Sequence, residues 1–167
     1  MRLSHAAALA LTAIALAACG QAPPTDKAMI SAFDAKRATF EALRTKLCDL
    51  KYDQTIMRDP PWAQPQLPVA DEKAFRAQLE EIGAKGVRYV RGCQLWIEVW
   101  SSGPGRETAR KKYRYGPPMF RIIEVKPPEP GEPPAKDLNE YLDKRVAIAS
   151  FEKKIEGDWW IELDHWQ

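Results

Sequence analysis

Apolar positions along this chain change period twice, and the changes mark its elements. Phe33, Phe40, Leu43, Leu47 and Leu50 recur at intervals of seven, three, four and three, one face of an α-helix. Lys36, Arg37, Glu41, Arg44 and Lys46 fall mostly elsewhere on the wheel. With Thr25 or Asp26 as cap, the spacing predicts a first helix over 26–48. Residues 60–68 hold Pro60, Pro61, Pro65 and Pro68, which remove backbone donors and restrict their predecessors. An extended crossing segment is expected there, with Trp62 over the core like a lid. Asp71 opens a second helix, with Phe75, Leu79 and Ile82 inward and Gly83 and Gly86 at its end.

From Val87 the period becomes two. Leu95, Ile97 and Val99 alternate with Trp96, Glu98 and Trp100, and Cys93 falls in phase with Leu95. Ser101 to Gly105 is a turn signal. The next strand sets Tyr113 and Tyr115 against Arg110, Lys112 and Arg114. Further strands are expected over 120–126, 145–155 and 159–166, with an acidic proline-rich loop over 127–134 and a helical turn over 137–142. The last two strands join at Glu156-Gly157-Asp158 as a hairpin. The expected fold class is α+β: two N-terminal helices packed on one face of a four- to five-stranded antiparallel sheet.

The N-terminal pattern is different in kind. Arg2 precedes a weakly apolar run, Ala6 to Ala18, broken only by Thr12. That run is too short to cross a hydrocarbon core, which takes roughly 17 to 25 residues, and has the layout of a secretory signal. Leu16-Ala17-Ala18-Cys19 resembles the lipobox of bacterial lipoproteins. The resemblance implies a signal peptide over 1–18, cleavage before Cys19 and a diacylglycerol on its thiol. It also implies a lipidated tether over 19–25 and a single domain over 26–167. One acyl chain holds a protein marginally and two hold it stably. In such lipoproteins an Asp after the cysteine commonly retains the protein in the inner membrane. Gly20 stands there, which implies the periplasmic face of the outer membrane.

Composition narrows the partners. The 25 Lys and Arg nearly balance 23 Asp and Glu, and only Arg2 is lost with the signal. Near-neutrality argues against a general nucleic-acid binder, whose affinity comes from neutralising phosphates. With Cys19 assigned to lipid, Cys48 and Cys93 remain. An even pair in an exported chain suggests a disulfide, worth ~4 kcal/mol for a loop of this length. Two free buried thiols or a metal pair completed by carboxylates are the alternatives.

Catalytic signals are sparse. His165 is the one histidine left in the mature chain, and it reads as structural. Glu98 and Glu162, each flanked by tryptophans, are the best carboxylate pair for glycosidase-like work, against a plain reading of exposed cross-strand charge. No phosphate-cradling loop, metal-ligand helix or dinucleotide fingerprint appears, so no cofactor and no metal are expected. The basic cluster Arg106, Arg110, Lys111, Lys112 and Arg114, with Arg88 and Arg91 alongside and tryptophans interleaved, is sharper. It reads either as a solvated edge strand or as a binding face. The predicted face is Trp96, Trp100, Arg110, Lys112 and Arg114, with Trp160 and Trp166 as further members.

Residues 75–165 also resemble small bacterial proteins ending in a similar Gly-Asx-Trp-aromatic hairpin, on Ile82 to Gly86, Trp96 to Gly103, Tyr113 to Pro118 and Lys154 to Trp160. That resemblance implies no activity. The expectation is a non-catalytic, membrane-anchored lipoprotein that binds an envelope partner, an immunity or inhibitor protein being one form. The rival is a small-ligand-binding protein or hydrolase with an aromatic pocket holding Glu98 or Glu162.

Overall fold

The computed structural model describes residues 22–50, 52–58, 60–102, 108–117, 136–142 and 148–166, with 148–149 and 165–166 as backbone alone. The expected signal peptide over 1–18, Cys19, Arg106, the expected strand over 120–126 and loop over 127–134, and the side chains of His165 and Trp166 lie outside the described residues.

The expected first helix is two. α1 (Asp26–Ala35) and α2 (Arg37–Cys48) are separated at Lys36, whose N–H bonds Ala32 and Phe33 carbonyls and whose φ of −122° leaves the helical region. Thr25 caps α1 by accepting the Ala28 N–H at 3.2 Å. The apolar stripe runs across the break, and Phe33, Phe40, Leu43 and Leu47 are all fully buried. β1 (Gln54–Met57) and β2 (Trp62–Gln64) follow, then α3 (Val69–Glu81), opened by Pro68 rather than Asp71. α3 ends as expected, with Gly83 left-handed at φ 72° and the Ala84 N–H returning to Leu79 O at 2.8 Å.

The remaining strands are β3 (Gly86–Val90), β4 (Gln94–Ser101), β5 (Thr108–Tyr115), β6 (Ile148–Glu156) and β7 (Trp159–Trp166), with one helical turn at Leu138–Tyr141. All seven form one antiparallel sheet in the order β2-β1-β3-β4-β5-β7-β6. The fold of the described residues is therefore α+β, with three α-helices and seven strands where two helices and four or five strands were expected. β1 and β2 were missed because each is too short to show alternation, and β3 lies where the period of two begins, its boundary with β4 unmarked. β2 is an edge strand, which is where its flanking prolines can be accommodated. Gly86 opens β3 because a Cβ there would lie 2.8 Å from Ile56 O.

The helices cover one face of the sheet. Val87, Tyr89, Leu95, Ile97, Tyr113, Trp159, Ile161 and Leu163 point into a single core with the buried residues of α1, α2 and α3. Aromatic rings fill its centre, with Phe40 edge-on to Tyr113 at 4.7 Å and Phe33 5.3 Å from Trp159. Tyr113 donates to Met29 O at 2.8 Å, and burial pushes its phenol pKa above the ordinary value.

Cys48 and Cys93 form a disulfide across a Cα separation of 4.8 Å. Cys93 is not on a strand, however. It closes the turn between β3 and β4 after Gly92, with φ of 60°. The bridge therefore ties the end of α2 to a hairpin turn.

Candidate functional site

The face of the sheet opposite the helices carries the site. Side chains alternate along a strand, so the register fixes which residues share it. Arg88 pairs with Trp96, Trp96 with Arg114, and Glu98 with Lys112. Across β5, Lys112 pairs with Glu162, Arg110 with Asp164 and Arg114 with Trp160. β6 adds Ser150, Glu152 and Lys154 opposite Asp164, Glu162 and Trp160.

Three of the expected members, Trp100, Lys112 and Arg114, behave differently. Register slips between Glu98 and Trp100, so that Trp100 pairs with Lys111 rather than with Arg110. Val99 is the extra residue of a bulge, and a bulge inverts the alternation after it. Trp100 thus lies on the helix side, beside Pro24, Ala28, Met29 and Gly83. It does not join Trp96. β5 is also not an edge strand, because β4 and β7 flank it. Its basic residues are consequently not a solvated fringe. Arg114 is 1 % exposed and Lys112 9 %, while Arg110 is exposed.

Burial of cations on a central strand requires acids, and β7 supplies them. Arg114 Nε lies 2.8 Å from Glu152 Oε1 and 3.5 Å from Glu162 Oε2, and Nη1 donates to Pro117 O at 2.7 Å. Lys112 Nζ lies 3.5 Å from Glu162 Oε1 and bonds Asp164 Oδ2. Glu162 also accepts from Trp96 Nε1 at 3.1 Å and Ser150 Oγ at 3.4 Å. Burial alone would push the Asp164 carboxyl up. The adjacent Lys112 charge and hydrogen bonds from Lys112 and Ser150 outweigh it and hold the pKa below the ordinary Asp value. Trp160 closes the group, donating to Gly116 O at 3.1 Å, with the Arg114 guanidinium 5.4 Å and the Lys154 ammonium 5.2 Å from its ring.

Beside this paired cluster the sheet opens into a groove of about 720 Å³. Trp96, Glu98, Arg110, Lys112 and Asp164 line one part, and Arg88, Thr55, Met57 and Trp62 another. Trp62 is 40 % exposed at the groove's β2 end, on the opposite side from the core it was expected to cover. Arg110 lies 3.9 Å from Glu98, and Arg88 is exposed with no ion-pair partner among the described residues. Arg91 sits outside the groove in the β3–β4 turn, facing Asp53 at 3.8 Å.

Glu98 and Glu162 share the face, as a catalytic pair would. They are two strands apart, so their backbones stand about 10 Å from one another. Lys112 stands between them, and Glu162 is held by four neighbours. Among the described residues, no group of three or more His, Cys, Asp or Glu converges to hold a metal. No helix of the described residues is long and apolar enough to cross a membrane.

Arg88, named beside the basic cluster, does line the groove, whereas sequence reasoning missed Thr55 and Met57 there and Asp164 as the main partner of Lys112. Asp164 was visible as an alternate position on β7, in phase with Glu162, once the strand was placed. Compared with known protein families, curated proteins and solved structures, the chain matches none.

Proposed function

We propose that this chain is an envelope lipoprotein, anchored through Cys19 on the periplasmic face of the outer membrane, that binds a carboxylate-bearing polymer in the groove of its bare sheet face. The observation that carries the reading is the division of charge on that face. Lys112 and Arg114 are buried and paired with acids of the sheet, while Arg88 and Arg110 stand exposed at the groove with little to hold them. Arginine's planar fork suits carboxylates, and Trp96 and Trp62 offer flat apolar surface to a sugar ring or side chain. Under an outer membrane, the abundant polymer with both rings and free carboxylates is the peptide-bearing glycan of the cell wall.

A non-catalytic role is supported by the state of the carboxylates. Glu162 is held by Trp96, Ser150, Lys112 and Arg114, which fits a scaffold better than an acid or base that must exchange protons.

Co-sedimentation with isolated cell-wall sacculi tests the reading, using the soluble chain with Cys19→Ser. Binding that falls as salt rises and is lost in Arg88→Ala/Arg110→Ala is expected. Absence of sedimentation at low salt, or equal sedimentation of the double variant, overturns it. For the anchor, radiolabelled palmitate should enter the native chain and not Cys19→Ser.

A further inference from the structure

The helix side of β5 carries a second ionic cluster, independent of the groove. Lys111 is fully buried. Its Nζ lies 2.7 Å from Asn139 Oδ1, 2.7 Å from Pro24 O, 2.7 Å from Asp26 Oδ1 and 3.3 Å from Asp137 Oδ1. Asp26 is itself 1 % exposed, and its Oδ2 accepts from the Leu138 N–H at 3.0 Å and Lys153 Nζ at 3.1 Å. The Asn139 amide is pinned by donating through Nδ2 to Pro23 O at 3.3 Å and Pro24 O at 3.2 Å. Its own N–H goes to Asp137 Oδ1 at 2.9 Å.

An amine, a carboxamide and a carboxylate are thereby fixed against one another, with the amine and the carboxylate out of water. With a C=O bond of about 1.23 Å, a carbonyl oxygen 2.7 Å from Nζ puts the Asn139 carbonyl carbon within about 4 Å of it. That is close to the ~3 to 3.5 Å from which attack proceeds, and a held geometry replaces the entropy a free encounter would cost.

We propose that Lys111 and Asn139 join in an intramolecular isopeptide bond. Asp26 Oδ1 takes a proton from the Lys111 ammonium, leaving a neutral amine as nucleophile. Nζ attacks Cγ of Asn139 and forms the new N–C bond. Asp26 returns the proton to Nδ2 and the Cγ–Nδ2 bond breaks; the second proton of Nζ then passes to the released ammonia, which departs as ammonium and leaves a neutral secondary amide. Lysine amine plus carboxamide gives a secondary amide plus ammonia, with no oxidant or co-reactant. The bond ties β5 to the 138–141 turn at the point where Pro23 and Pro24, expected in the free tether, are instead held against the domain. It thus fixes the base from which the chain runs toward Cys19.

Mass spectrometry of the full chain purified from envelopes decides it. Trypsin should release Lys111-Lys112 joined to Asp137–Lys144, a branched peptide about 17 Da lighter than the sum of its two parts, the mass of the ammonia lost. In Asp26→Asn the linear Asp137–Lys144 peptide should appear instead, in chain that still forms the Cys48–Cys93 bridge. Recovery of only the linear peptide from the native chain overturns the proposal. So does a branch about 18 Da lighter through Asp137, since water would then be the group lost.

Discussion

Lys111 and Lys112 are neighbours on β5 and lie on opposite faces of the sheet. On the helix side, Lys111 is sealed among Pro24, Asp26, Asp137 and Asn139, groups from two distant parts of the chain. On the other side, Lys112 pairs, among the described residues, with Glu162 and Asp164 of the next strand, sits opposite Glu98 and lines an open groove. The first cluster closes the fold, and the second borders a surface with exposed arginines. What separates them is cover. A cation under helices needs every donor matched from within, whereas one beside a groove can leave room for a ligand.

The largest expected effect breaks the helix-side cluster. Lys111→Met removes the group that joins Pro24, Asp26, Asp137 and Asn139, together with the proposed bond to Asn139, leaves the buried Asp26 with the Leu138 N–H and Lys153, and should cost about 3 to 5 kcal/mol, read as a lower urea midpoint. Reducing the Cys48–Cys93 bridge, or replacing both cysteines by alanine, should cost up to ~4 kcal/mol by freeing the loop between them. Its readout is the difference in urea midpoint with and without reductant. Lys112→Met should cost less than Lys111→Met, about 1 to 3 kcal/mol, because its carboxylates keep Ser150 and Arg114.

Acid sharpens the comparison further. For Asp137, burial would raise the carboxyl pKa, but the N–H groups of Asn139 and Asp26 and the Lys111 charge hold it below the ordinary value. Asp164 is also depressed. A depressed folded pKa stabilises above the unfolded value of about 3.9, and that contribution is lost as pH falls through the folded value. Stability should therefore be flat in these groups above about pH 5 and decline below pH 4. Asp164→Asn and Asp137→Asn should each flatten that acid limb in circular dichroism. The smallest stability effect is expected for Trp62→Ala, within about 0.5 kcal/mol, since the ring is 40 % exposed on an edge strand. Groove binding, by contrast, should weaken measurably.

The parts of this fold that could be read from sequence are those with sustained periodicity. The Phe33-to-Leu47 stripe and the alternation of Leu95 to Ile97 and Trp159 to Leu163 are local patterns, and each lies where its period put it. The inversion at Val99 could not be read, because a bulge depends on how β4 meets β5 rather than on β4 alone. That single residue moved Trp100 out of the expected face. Cys93 was placed on a strand because its phase matched Leu95, although the turn begins before it. Lys111 read only as one more member of the basic cluster, since its partners come from residues 24, 26, 137 and 139. Burial of a lysine is a property of the assembled fold.

The division between sealed and open charge is tested most directly by titrating a soluble cell-wall glycopeptide into the Cys19→Ser chain and measuring heat. The account predicts saturable binding, weakened about tenfold or more by each of Arg88→Ala and Arg110→Ala and unchanged by Arg91→Ala, which lies outside the groove. Binding that is equal in all four chains would contradict it.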